Sequence, residues 1–207
     1  MKKIILTAAA VFAFSFANAQ DKDAKGFGFS EGNVFLEGNL AFGSTNDKND
    51  EVKTSSFSFN PKVGYFISDK FAVGINLGIG SGKITETGED DIKSSNMNVG
   101  AFGRYFFLDL GERFKTFTEF GFGITSNKTG DADFQKTNGF NVGAGLGMNY
   151  FVTPKMAISF GLSNVLSYQS SKSKADGDKG QTSFGANVNV FQNFFDTPTF
   201  GLLYKLN

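Results

Sequence analysis

Few side chains in this sequence are equipped for chemistry, and four of them stand at spacings that would let them act together. Glu37, Lys62, Arg104 and Glu119 each interrupt a stretch in which apolar and small polar residues alternate. Arg104 and Glu119 are equidistant from Gly111-Glu112, and Glu37 and Lys62 are equidistant from Asn49-Asp50. If each stretch is a strand and each midpoint a chain reversal, the members of each pair face one another directly on neighbouring strands. Opposite charges so placed contribute about 0.2 to 1 kcal/mol, and more is at stake when one partner is left alone in a confined space. The expectation is an interior polar plug; separate solvation of each charge by lumen water is the competing expectation. Catalysis is the poorer reading. The chain has no His and no Cys, which removes Ser-His, Cys-His and His-metal designs together with thiolate nucleophiles and zinc-thiolate sites.

Other chemical motifs fade on inspection. Gly78-Ile79-Gly80-Ser81-Gly82 and Gly143-Ala144-Gly145-Leu146-Gly147 are glycine-rich enough for a phosphate loop, yet both lie inside alternating stretches with no helix pattern after them. Asp176-Gly177-Asp178-Lys179-Gly180 and the acidic run from Glu86 to Asp91 lack the spacing and distal Glu of a calcium loop, so solvated loop charge is the reading favoured there. No cofactor and no metal is expected.

The elements that must position the charges are strands. Phe71, Val73, Ile75, Leu77 and Ile79 alternate with Ala72, Gly74, Asn76, Gly78 and Gly80; Phe140, Val142, Ala144, Leu146, Met148 and Tyr150 alternate with glycines and asparagines. A period of two marks strands with chemically different faces. Similar runs occupy approximately 33–44, 57–67, 95–107, 115–126, 156–168 and 182–194. Short connections near Ser68-Asp69-Lys70, 108–114 and 152–155 alternate with long charged ones at 45–54, 83–93, 127–137 and 169–181. Tyr65-Phe66, Tyr105-Phe106 and Tyr150-Phe151 each precede a short turn, so the unit is a repeated up-and-down hairpin.

Composition agrees. A chain of 207 residues with 27 Phe, 26 Gly and 3 Pro favours strands over helices. Lys plus Arg equals Asp plus Glu at 20 each, so no bulk charge draws the chain to nucleic acid. Lys2 and Lys3, an apolar run from Ile4 to Phe16, and Ala17-Asn18-Ala19 read as a cleaved export signal over 1–19. That apolar run is shorter than the roughly 20 residues a spanning helix needs. A polar lead-in over 20–32 and a barrel domain over 33–207 follow.

Charge decides between a barrel in water and one in lipid. A soluble barrel exposes its polar face, where roughly 25 to 35 % of positions are charged. Here that face is Gly, Asn, Ser and Ala, with only Glu37, Lys62, Arg104, Glu119 and Lys205 among them, and the apolar face carries no charge. A Lys or Arg facing lipid at midplane costs about 2 to 4 kcal/mol, and a sheet in a bilayer must close to satisfy its backbone. The expected fold is all-β: a transmembrane up-and-down antiparallel β-barrel of eight strands, with Phe, Val, Ile and Leu outward and Gly, Asn and Ser inward. Tyr65, Tyr105 and Tyr150 fit an interfacial girdle at the short-turn end, and Phe42, Phe57, Phe140, Tyr168 and Phe184 another toward the long loops.

Over roughly 33–207 the chain resembles the small outer-membrane β-barrel domain family, often labelled porin family and similar in architecture to the OmpA transmembrane domain and OmpX. The resemblance rests on Phe59-Asn60-Pro61-Lys62-Val63-Gly64-Tyr65-Phe66, on Gly103-Arg104-Tyr105-Phe106-Phe107, and on the closing Phe200-Gly201-Leu202-Leu203-Tyr204-Lys205-Leu206. It implies periplasmic short turns, external long loops, membrane lipid as partner and the outer-membrane assembly machinery during biogenesis, in a Gram-negative-type bacterium. The chain departs from the family in ending Tyr204-Lys205-Leu206-Asn207 rather than on an aromatic residue, and in the interruption Asp196-Thr197-Pro198. Residues 199–206 therefore either continue the eighth strand or form another. Pro61 within a strand calls for a bulge or a missing ladder bond. Two functions remain open: a non-enzymatic scaffold with an occluded lumen, whose loops 45–54, 83–93, 127–137 and 169–181 contact surface ligands, or a narrow channel for ions or small solutes.

Overall fold

The computed structural model describes residues 26–130, 136–187 and 199–207. The export signal over 1–19 and the interruption at Asp196-Thr197-Pro198 lie outside the described residues. The strands are β1 (Val34–Asp47), β2 (Val52–Ser68), β3 (Phe71–Glu86), β4 (Ile92–Leu110), β5 (Phe114–Thr129), β6 (Lys136–Phe151), β7 (Met156–Ser173), β8 (Gln181–Ala186) and β9 (Thr199–Lys205). Each pairs antiparallel with its neighbour in sequence from β1 to β7, and β9 closes the ring by pairing with both β7 and β1. The result is a closed eight-stranded transmembrane barrel.

The eighth position is shared. β9 lies along the lower part of β7, from Met156↔Tyr204 to Gly161↔Thr199, while β8 lies along the upper part of the same strand, from Leu166↔Ala186 to Ser171↔Gln181. Residues 199–205 thus form a separate strand that continues the eighth position of the barrel below β8, in a shifted register. Pro61 is accommodated without a bulge. It pairs with Gly38 on the β1 side, while on the β3 side the ladder skips from Phe59↔Ile79 to Lys62↔Asn76 at constant register.

Two expectations need correction. The connections expected at 45–54, 83–93, 127–137 and 169–181 are largely strand: the pairing runs on to Asp47↔Val52, Ile84↔Ile92, Lys128↔Lys136 and Ser171↔Gln181, so that among the described residues the tips are confined to 48–51, 87–91 and 174–180. Polar side chains do not end a strand whose backbone bonds are completed by its neighbour. The interior is also not uniformly small and polar. Phe35, Phe66, Phe102, Phe106, Phe117 and Phe151 are all buried inside it. The outward face is apolar as expected, with Phe42, Ile75, Phe120, Phe122, Ile124 and Leu202 exposed around the wall. Tyr65 and Tyr105 stand exposed at the short-turn end, and Phe140, Tyr168 and Phe184 toward the other.

Candidate functional site

The interior is built in layers, and the period of two decides its lining. Phe35 shares a face with Glu37, Phe66 with Lys62, Phe102 and Phe106 with Arg104, and Phe117 with Glu119. At the short-turn end Phe29, from the segment before β1, packs into a cage of these rings. It stacks on Phe66 at 4.4 Å between centroids and meets Phe106 at 5.0 Å and Phe151 edge-on at 5.1 Å. Lys205 Nζ donates to the Gly28 carbonyl at 2.9 Å, and the Arg113 guanidinium lies 4.4 Å from the Phe27 ring. At the same end Asn207 bridges the start of β1 and the lead-in: Val34 N–H donates to Asn207 Oδ1 at 2.8 Å, and Asn207 Nδ2 donates to the Gly32 carbonyl at 3.1 Å. The lead-in over 26–32 therefore packs into the base of the barrel.

Glycine makes these rings fit. Phe35 is the ladder partner of Gly64, Phe102 of Gly74 and Phe117 of Gly147. A Cβ on those glycines would stand 2.2, 2.5 and 2.3 Å from the opposing ring carbons. Phe35, Phe102 and Phe117 each lie over the glycine directly across from them, so these three glycines make room for rings rather than leave idle space.

Above the aromatic base lie the four charges. The ladders pair Glu37↔Lys62 and Arg104↔Glu119, but the ionic contacts run differently. Arg104 donates bidentately to Glu37, Nη1 to Oε2 at 2.6 Å and Nη2 to Oε1 at 3.1 Å. Its Nε and Nη2 both donate to Glu119 Oε2, the former at 2.9 Å. Lys62 reaches across to Glu119 Oε1 and makes no ion pair with Glu37, its ladder partner. The reason is reach. Arg104 is 1 % exposed, and its planar fork serves two carboxylates from one point, leaving the free oxygen of Glu119 for Lys62. The guanidinium also sits 4.0 Å from the centroid of the Phe117 ring. The four formal charges cancel, and each is held by another.

From the charge network toward the long-loop end the lumen holds a chamber of about 340 Å³, walled at one end by Glu37, Lys62, Arg104 and Glu119 themselves and beyond them by Asn39, Asn60, Asn76, Asn98 and Asn141 with intervening glycines. Asn60 Nδ2 donates to Asn39 Oδ1 at 2.8 Å and Asn76 Nδ2 to Asn98 Oδ1 at 3.1 Å. Among the described residues no group of His, Cys, Asp and Glu is arranged to hold a metal ion. Sequence reasoning located the four charges but missed the phenylalanine layer and Phe29. The signal was available for the strand residues, which share the parity of the charges beside them.

The profile of the family described as outer membrane protein beta-barrel domain matches residues 6–194. This chain belongs to that family. Among solved structures, OprG of Pseudomonas aeruginosa is similar at 12 % identity over 86 % of this chain and 97 % of that one, with a TM-score of 0.45. Outer Membrane Protein W of E. coli is similar at 13 % identity over 85 % and 98 %, with a TM-score of 0.46. Neisserial surface protein A is similar at 16 % identity over 86 % and 98 %, with a TM-score of 0.43. A comparison with curated protein sequences finds no match.

Proposed function

We propose that this chain is a non-enzymatic integral protein of the outer membrane of a Gram-negative-type bacterium, exported by residues 1–19, whose barrel is a closed scaffold rather than a conduit. One observation supports the reading: two successive layers of side chains project into the lumen, the Phe29 cage at the base and the Arg104–Glu37–Glu119–Lys62 network above it. Eight strands leave an interior just wide enough for side chains, whereas open aqueous channels belong to barrels of about 16 strands or more. The strand extensions, the tips at 48–51, 87–91 and 174–180 and the connection from β5 to β6 are then the parts that meet surface components. The Asn-lined chamber favours a second reading, a narrow channel for ions or small solutes, in which the two filled layers act as a constriction.

Single-channel conductance of the refolded mature protein in a planar bilayer separates the two. A scaffold predicts silence from wild type, with heat-dependent gel mobility showing a folded barrel. Steady wild-type conductance that Arg104→Ala enlarges would overturn the scaffold reading and place the constriction at Arg104.

A further inference from the structure

Because the strands run farther than the sequence suggests, six lysines that would have belonged to loops acquire a defined face. They are Lys53 of β2, Lys83 of β3, Lys93 of β4, Lys128 of β5, Lys136 of β6 and Lys172 of β7. All six point outward. Lys83 is directly opposite Lys93, Lys128 opposite Lys136, and Lys172 opposite Asn138, and each lies an even number of positions from the lipid-facing residues of its own strand. The outward order repeats: Phe57, Ser55, Lys53 on β2; Met97, Ser95, Lys93 on β4; Tyr168, Ser170, Lys172 on β7. The strands β3 and β5 repeat it as Ile79, Ser81, Lys83 and Ile124, Ser126, Lys128, and β6 repeats it with Asn138 in place of the serine, between Phe140 and Lys136. The acidic residues at the same strand ends, Asp47 and Glu86, stand on the inward side, both opposite Val52.

The level of this ring is set by strand geometry. Each lysine lies four residues beyond the last apolar outward position, a rise of roughly 10 Å at about 3.3 Å per residue and a tilt near 40°. That is headgroup depth above the acyl band. The ring is not a by-product of a basic chain, whose formal net charge is zero. It also opposes like charges in two ladders, Lys83↔Lys93 and Lys128↔Lys136, an arrangement that is unfavourable without a counter-anion. Asp91 supplies one to the first pair, at 2.7 Å from Lys83 and close enough to act on Lys93 as well, whereas among the described residues no carboxylate lies in ion-pair reach of Lys128 or Lys136.

We propose that this lysine ring binds phosphate groups carried by lipid headgroups of the leaflet on the long-loop side. The occupant is lipid rather than free anion because the ring is continuous with the face that the acyl chains of those same molecules cover. Lysine suits the task as a point charge on a stem that lies along apolar surface.

The test uses the mature protein folded into phosphatidylcholine vesicles containing one part in five phosphatidic acid. Boundary-lipid electron paramagnetic resonance gives the association of spin-labelled phosphatidic acid relative to spin-labelled phosphatidylcholine. Wild type is expected to prefer phosphatidic acid, K128Q/K136Q to lower that preference at least about fivefold, and K48Q/K179Q, at the loop tips, to leave it unchanged. An unchanged preference in K128Q/K136Q overturns the proposal. So does inorganic phosphate that abolishes the preference at matched concentration, which would make this a free-anion site. If the double variant does not fold by gel mobility, sodium chloride titration of wild type decides: a preference that survives high salt overturns the proposal, and one that falls steeply supports it.

Discussion

Arg104→Ala strands a buried charge, and its cost can be worked from the contacts. The substitution removes a bidentate pair to Glu37, a second pair to Glu119 and the stacking of a guanidinium on Phe117. Glu119 keeps Lys62, but Glu37 is buried and loses its only ion-pair partner among the described residues. Breaking a buried pair by removing one member costs about 3 to 5 kcal/mol, because the remaining charge stays desolvated. Lys62 stands opposite Glu37 in the ladder and can swing back to it, so the expected loss lies at the lower end, about 3 kcal/mol. Arg104→Ala combined with Glu37→Gln removes the stranded charge and is expected to recover about 1 to 3 kcal/mol relative to the sum of the single losses. Urea titration of the barrel folded in phosphatidylcholine vesicles, read by gel mobility, supplies these values. Strictly additive losses would refute the network, as would an Arg104→Ala loss below about 1 kcal/mol.

Three further outcomes follow from the geometry. Phe29→Ala empties the cage at the base and is expected to cost about 3 kcal/mol in the same titration, while leaving the Arg104 coupling unchanged; no loss would mean that the lead-in does not hold the barrel. Gly147→Ala places a Cβ 2.3 Å from the Phe117 ring and 2.8 Å from the Phe160 carbonyl oxygen, whereas at Gly121 the nearest atom is 3.6 Å away. The former is expected to destabilise by about 1 to 3 kcal/mol and Gly121→Ala to be near neutral, and equal effects would contradict the packing. Backbone N–H donation from Gly180 and Ser173 holds the Asp178 carboxyl below its ordinary 3.8. A depressed carboxyl stabilises its turn above that ordinary value and loses the contribution as pH falls through the lower folded one. Proteolytic protection of 173–180 is therefore expected to persist at neutral pH and to fail only below about pH 4. Asp178→Asn should weaken protection at neutral pH, and unchanged protection in that variant would contradict the turn.

The sequence alone determined the barrel and its lipid-facing side. A period of two is a local property of the chain, and the exclusion of charge from the apolar band of one face follows from the solvent that band must meet. Arg104, Glu119, Glu37 and Lys62 were legible for the same reason, since in a hairpin the distance to the turn sets which residues stand opposite each other. Tertiary structure alone decided which charges touch: Arg104 reaches Glu37 across the lumen, between strands far apart in sequence, and no local spacing encodes that distance. It also decided the filling of the base, because Phe29 lies outside any strand and finds Phe66 and Phe151 only after the ring has closed. The lysine ring needed both. The spacing Tyr168, Ser170, Lys172 is in the sequence, but polar residues at a strand end read as loop until a neighbouring strand completes their backbone bonds and gives each lysine a side.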